Sequence, residues 1–180
     1  MSDVIAALNR DHANIGKLLE ILESEILAIE VGKTPDYPLM QDVMRYMTQY
    51  SDRFHHPKED LIFAQLLKHD PDVRADVENL IEEHVSIRLA GQEFARLLRA
   101  SSVDSVEVRE RLGTFGLAYI RALRTHMSKE ERKLFPMALD VLTKMEWQLI
   151  DEAVDAIDDP LFDEMSVGDY QRLYRLITNQ

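Results

Sequence analysis

Phe54-His55-His56-Pro57-Lys58-Glu59-Asp60 and its echo, Thr125-His126-Met127-Ser128-Lys129-Glu130-Glu131, decide what this chain can be. Each carries a histidine and, four residues later, a glutamate preceded by a lysine. Positions i and i+4 of an α-helix lie one above the other on the same face, so each stretch aims an imidazole and a carboxylate at one point. Pro57 falls inside the first pair. It lacks an N–H and its ring crowds the preceding turn, so a kink is expected there.

Outward from these stretches, apolar residues recur at alternating spacings of three and four, the seam of helices packed in a bundle. Residues 3–31 form a first helix through Ile5, Leu8, His12, Ile15, Leu19, Leu22, Ile26 and Ile29, ended by Gly32, Pro35 and Pro38. A second runs from about Leu39 to His69, with Met40, Met44, Met47, His55 and Glu59 on one face. Asp70-Pro71-Asp72 turns the chain into a third, through Val73, Val77, Leu80, His84, Ile87, Gly91, Phe94 and Leu98. Ser101, Ser102 and Asp104 offer caps for a fourth. Its inner face is Val108, Leu112, Phe115, Tyr119, Ala122, His126 and Glu130, and Pro136 breaks it. Shorter helices are expected over 137–158, then a turn at Asp158-Asp159-Pro160 and a last helix over Ser166 to Ile177. His12 and His84 occupy seam positions and should point inward. His56 lies about 100° of helix rotation from His55, and His69 sits beside a turn, so both are expected at the surface.

The two halves repeat weakly. Asp11-His12-Ala13-Asn14-Ile15 matches Glu83-His84-Val85-Ser86-Ile87, and the His-x-x-Lys-Glu stretches at 55–59 and 126–130 match in turn. One inward histidine is ordinarily a core residue with a hydrogen-bond partner, and one i, i+4 pair is a surface contact worth a few tenths of a kcal/mol. Four histidines and two carboxylates on four successive helices are different, because burying them unpaired carries a large desolvation cost. A cation removes that cost. The chain has no cysteine, so thiolate ligation, iron–sulfur ligation by cysteine and disulfides are excluded. Nitrogen and oxygen donors suit iron, zinc or manganese. There is no His-Glu-x-x-His of a zinc protease. No histidine has a glutamate three residues before it, as ferritin-like di-iron sites require.

A length of 180 residues makes one domain the default. The net charge of -12 argues against a nucleic-acid footprint. No run approaches eighteen apolar residues, so no membrane span is expected. The N-terminus has neither a basic region nor a long apolar one, which leaves the cytoplasm as the default address.

Asp11-His12, His55 with Glu59, Glu83-His84, and His126 with Glu130 and Leu134-Phe135-Pro136 together resemble the hemerythrin-like, or HHE cation-binding, family over about residues 3–143. The resemblance implies an antiparallel up-down four-helix bundle over 1–143; the tail lies outside it, and its own apolar spacing adds C-terminal helices over 144–180, so the whole is expected to be all-α. The apolar residues of that extension are expected to pack on the bundle or to form a homodimer contact. The resemblance also implies two non-haem iron ions with an oxo or hydroxo bridge. By resemblance Glu59 and Glu130 bridge the ions, His12 and His55 hold one, and His84 and His126 hold the other. The expected function is binding of O2 or NO for storage, sensing or detoxification. Iron–sulfur cluster repair and a metal-dependent regulatory or interaction role are the alternatives, and whether the protein is an enzyme stays open. Oxygen-carrying relatives place a second histidine four residues after the one in the third helix; here that position is Arg88. Each iron is therefore expected to have about two histidines, and both to keep open positions.

Overall fold

The computed structural model describes residues 3–100, 105–153 and 167–178. The chain is all-helical, and the described residues contain no strand. Helix α1 spans Asp3–Glu30 and stops at Gly32, whose φ of 75° is a left-handed conformation that favours glycine. Helix α2, Tyr37–Tyr46, starts at Asp36, whose side chain accepts the Leu39 N–H at 2.9 Å. Met47–His55 then winds as a π-helix and continues into α3, His56–His69. Pro57 stands in the first turn of α3, where its missing N–H costs little. The strain expected of a proline-kinked α-helix is thus met by a change of helix type. A 3-10 turn, Pro71–Val73, leads into α4, Arg74–Ala100.

Helix α5 spans Val106–Lys129. Its N-cap is Ser105, which accepts from the Val108 N–H at 3.3 Å; the expected caps Ser101, Ser102 and Asp104 lie outside the described residues. The second His–Glu stretch ends in another π segment, Glu130–Leu134, followed by α6, Phe135–Val141, with Pro136 in its first turn. Two residues expected on the inner face of α5 are not there: Phe115 is 42% exposed, and Ala122 is exposed. The inward position beside Phe115 belongs to Gly116. A Cβ built there would lie 2.8 Å from Phe94 Cζ and collide with Ile26, so α1 and α4 approach α5 where only glycine fits.

Helix α1 packs along α5, α4 packs along α5, and α2 packs against α4. The core they enclose is in two blocks. One contains Ile15 to Ile29 of α1, Met40 to Tyr50, Ile87 to Leu98 and Leu112 to Met127. The other contains Val4, Ile5, Leu8, Ile62, Phe63, Leu66, Val77, Leu80, Leu134 and Phe135. Between them lies a layer of buried polar side chains: Asp11, His12, His55, His56, Glu59, His84, His126 and Glu130.

The C-terminal helices attach to both blocks. Helix α7, Lys144–Ala153, opens with a reciprocal cap in which Glu146 accepts the Thr143 N–H at 2.9 Å and Thr143 accepts the Glu146 N–H at 3.4 Å. It buries Ile150 beside α3, with His69 of α3 meeting Glu146 at 2.7 Å. Helix α8, Val167–Thr178, buries Leu173 and Ile177 against α1 and α2. Lys17 donates to the Ile177 carbonyl at 2.9 Å, and Arg172 pairs with Asp36. The turn expected at Asp158-Asp159-Pro160 lies outside the described residues.

Candidate metal centre

The structure brings all six expected side chains into the polar layer, and each is buried. Each carboxylate faces both halves of the repeat. Glu59 Oε1 lies 3.2 Å from both His12 Nε2 and His55 Nε2, while its Oε2 lies 3.5 Å from His84 Nε2. Glu130 Oε1 lies 3.1 Å from His126 Nε2 and 3.5 Å from His84 Nε2, and its Oε2 lies 3.5 Å from His12 Nε2.

The outer ring nitrogens are held by acids that flank the inward residues in sequence. His55 Nδ1 meets Asp11 at 3.2 Å, and His126 Nδ1 meets Glu83 at 3.1 Å. His12 Nδ1 meets Glu131 at 3.0 Å, and His84 Nδ1 meets Asp60 at 3.0 Å. Residues 11, 12, 55, 59 and 60 therefore correspond one by one to 83, 84, 126, 130 and 131. The ring pairs agree: His12 and His55 centroids are 4.9 Å apart, His84 and His126 centroids 4.7 Å, both edge to face. The weak repeat of the sequence is a close repeat of geometry. Nδ1 fastened to a carboxylate fixes each ring so that Nε2 faces the interior.

His56 departs from the surface position expected of it. It is 4% exposed and stacks on His84 at 4.3 Å between centroids, with interplanar angle 9°. One atom from each of His56, Glu59, His84 and His126 falls within 4.8 Å of the others, and so does one from each of His12, His55 and Glu59. His56 breaks the internal symmetry, since its counterpart is Met127. The apolar type of that counterpart is the one sequence feature that points inward at position 56, and in the structure Met127 is buried. His69 is at the surface as expected. Arg88 is exposed on α4 and takes no part in the layer. The surface position expected of His56 is thus corrected: it stands buried beside His84 and His126, brought there by the α3 end of the first stretch and not by α4.

The electrostatics are those of a cage holding imidazoles against carboxylates. Burial opposes the charge on His55, but Glu59 and Asp11 outweigh it and raise its pKa to about 10. Burial likewise opposes the charge on His84, but Asp60, Glu130 and Glu59 raise it to about 11. Burial opposes the charge on Glu59 too, but His55, His12 and His84 hold its carboxyl well below its usual range. His56 goes the other way: burial and the His84 imidazole push it well below 6.5, so it is held neutral.

Glu59 Oε2, His84 Nε2, His126 Nε2 and both Glu130 oxygens are buried without a hydrogen bond of acceptable geometry. All five face inward; of the other inward atoms, His12 Nε2 and His55 Nε2 both meet Glu59 Oε1, and the outward Nδ1 atoms are satisfied. Buried polar atoms of native proteins are rarely left so, and a cation among them would satisfy all five. No curated protein and no solved structure matches the chain significantly. The family model of the hemerythrin HHE cation binding domain matches residues 3–138, a span that contains every side chain of this layer. With that match over most of its length, the chain belongs to the hemerythrin HHE cation-binding domain family.

Proposed function

We propose that this layer binds two iron ions within an antiparallel up-down four-helix bundle and that the loaded centre takes up O2 or NO. His12 and His55 would hold one ion, His56, His84 and His126 the other, and Glu59 and Glu130 would span both. The observation that carries this is the set of five orphaned inward atoms beside four fastened Nδ1 atoms. Only nitrogen and oxygen donors are present, a set that fits iron in either common oxidation state.

Iron supplies the electrons for diatomic-ligand chemistry when bound. The chain's own residues do the rest. The four acids fix the directions of the imidazoles, and the two apolar blocks keep bulk water from the layer. A groove of about 600 Å³ between α4 and α5, lined by Leu80, Ser128, Lys129, Arg132 and Leu134 among others, passes beside the centre without including any of the seven side chains. An occupant that reaches the layer between packed helices is small, which favours a diatomic molecule over an organic substrate. The half with two histidines has one donor fewer and is where such a molecule would bind. The test is metal analysis and an absorption spectrum of anaerobically purified protein, before and after O2 and NO. Two irons per chain and a reversible or stoichiometric spectral change are expected. Iron-free protein that does not take up Fe2+ would refute the proposal.

A further inference from the structure

The π-helix Met47–His55 ends on the histidine of the first His–Glu pair. In an α-helix, residues five apart point about 140° away from each other. The i→i+5 bonding of a π-helix places them on one face, and such segments collect at functional sites. Tyr50 and His55 are five apart. The Tyr50 hydroxyl donates to Asp11 Oδ2 at 3.0 Å, and His55 Nδ1 meets the same oxygen at 3.2 Å. Tyr50 is 1% exposed and stacks on Tyr46 with centroids 5.3 Å apart, so its ring is fixed by packing.

The symmetry of the layer makes the device visible. Asp11 corresponds to Glu83, which holds His126 in the other half. Glu83 is steadied by the Lys129 ammonium, from a side chain 45% exposed. Asp11 is steadied by a neutral phenol inside the core. The two halves thus fasten equivalent histidines by different means, and only the first needs its donor five residues before the histidine.

We infer that Tyr50 is a positioning residue for the two-histidine ion: through Asp11 it fixes the direction of His55, and the π-helix exists at this place to align the two. The inference rests on the di-metal proposal above. It implies that the ion at His12 and His55 is tuned from the helix that precedes it, independently of the other ion.

The experiment is a Co2+ titration of the full-length metal-free protein against a chromophoric chelator, followed by its visible spectrum. Wild type taking up no Co2+ would sink the di-metal proposal itself. With two ions bound by wild type, Tyr50→Phe is expected to weaken one of them 10- to 100-fold, the usual scale for loss of a ligand's outer partner. The other affinity should stay within about twofold and the spectrum of the affected ion should change. Asp11→Asn should weaken the same ion, and adding Tyr50→Phe to it should cost nothing further, because the two act in series. Equal weakening of both ions, or additive losses in the double variant, would mean that Tyr50 is merely packing. Two ions bound by Tyr50→Phe as in wild type would overturn the inference outright. If Tyr50→Phe does not fold, Asp11→Asn alone decides: it must spare the three-histidine ion.

Discussion

At the scale of single residues, His56 changes what the centre can hold. On an ideal α-helix it faces away from its neighbour, yet the bundle interior is wide enough here for two adjacent positions. Replacing His56 with Ala is expected to leave about one tightly bound ion of two, measured by elemental analysis after dialysis; a full complement would remove His56 from the ligand set. Glu59→Gln and Glu130→Gln should each lose both ions together, since each carboxylate reaches both halves. Protons compete at the same atoms. His55 and His84 titrate near 10 and 11 in the metal-free fold, so both are charged at neutral pH. Metal binding at pH 7 should release about two protons, readable by calorimetry in buffers of different ionisation heat, and affinity should keep rising toward pH 10. The sign for stability follows. Folded-state pKa values raised above 6.5 give the metal-free fold a contribution that is complete below that pH. It is lost as pH rises through about 10. Thermal melts of metal-free protein at pH 7 and pH 10 check it, with the lower melting temperature expected at pH 10.

At the scale of elements, the seams of three and four predicted the helices and the inward direction of His12, His84 and both His–Glu pairs. The sequence is legible there because burial of one helical face leaves a period that any reader can count. Three things were not legible. The π segments change the turn without changing the apolar pattern, so the run Leu39 to His69 reads as one α-helix. His56 breaks the wheel, though its aligned partner Met127 marked the position as interior. Phe115 looks like a core residue because it is large and apolar, while the true inward residue, Gly116, has no side chain to count. Gly116 gives a prediction of its own. Gly116→Ala adds a methyl where Phe94 and Ile26 already stand, so the gain in helix propensity is outweighed by overpacking of about 1–3 kcal/mol. A melting temperature equal to or above that of wild type would show that α1 and α4 give way easily.

At the scale of the whole molecule, the tail is tied into both blocks. Truncation after Thr143 would strip Ile150, Leu173 and Ile177 from their partners. It is expected to lower the melting temperature and to expose apolar surface that binds a hydrophobic dye; an unchanged melt would show α7 and α8 to be dispensable. No described helix is long and apolar enough to cross a membrane.

The charged layer between two oily blocks has a consequence for how the chain comes apart. With ions in place, the layer joins the blocks through ligands drawn from α1, α3, α4 and α5. Without them it is a plane of weakness: few apolar contacts cross it, and water gains by entering. The smaller block, around Val4, Ile62, Val77 and Phe135, should then open as a unit of its own while the block around Leu19, Met44, Phe94 and Leu123 stays closed. Amide hydrogen exchange would record this as two classes of protection in metal-free protein. After loading, those classes should merge into a single, slower class, turning a chain of two cooperative parts into one.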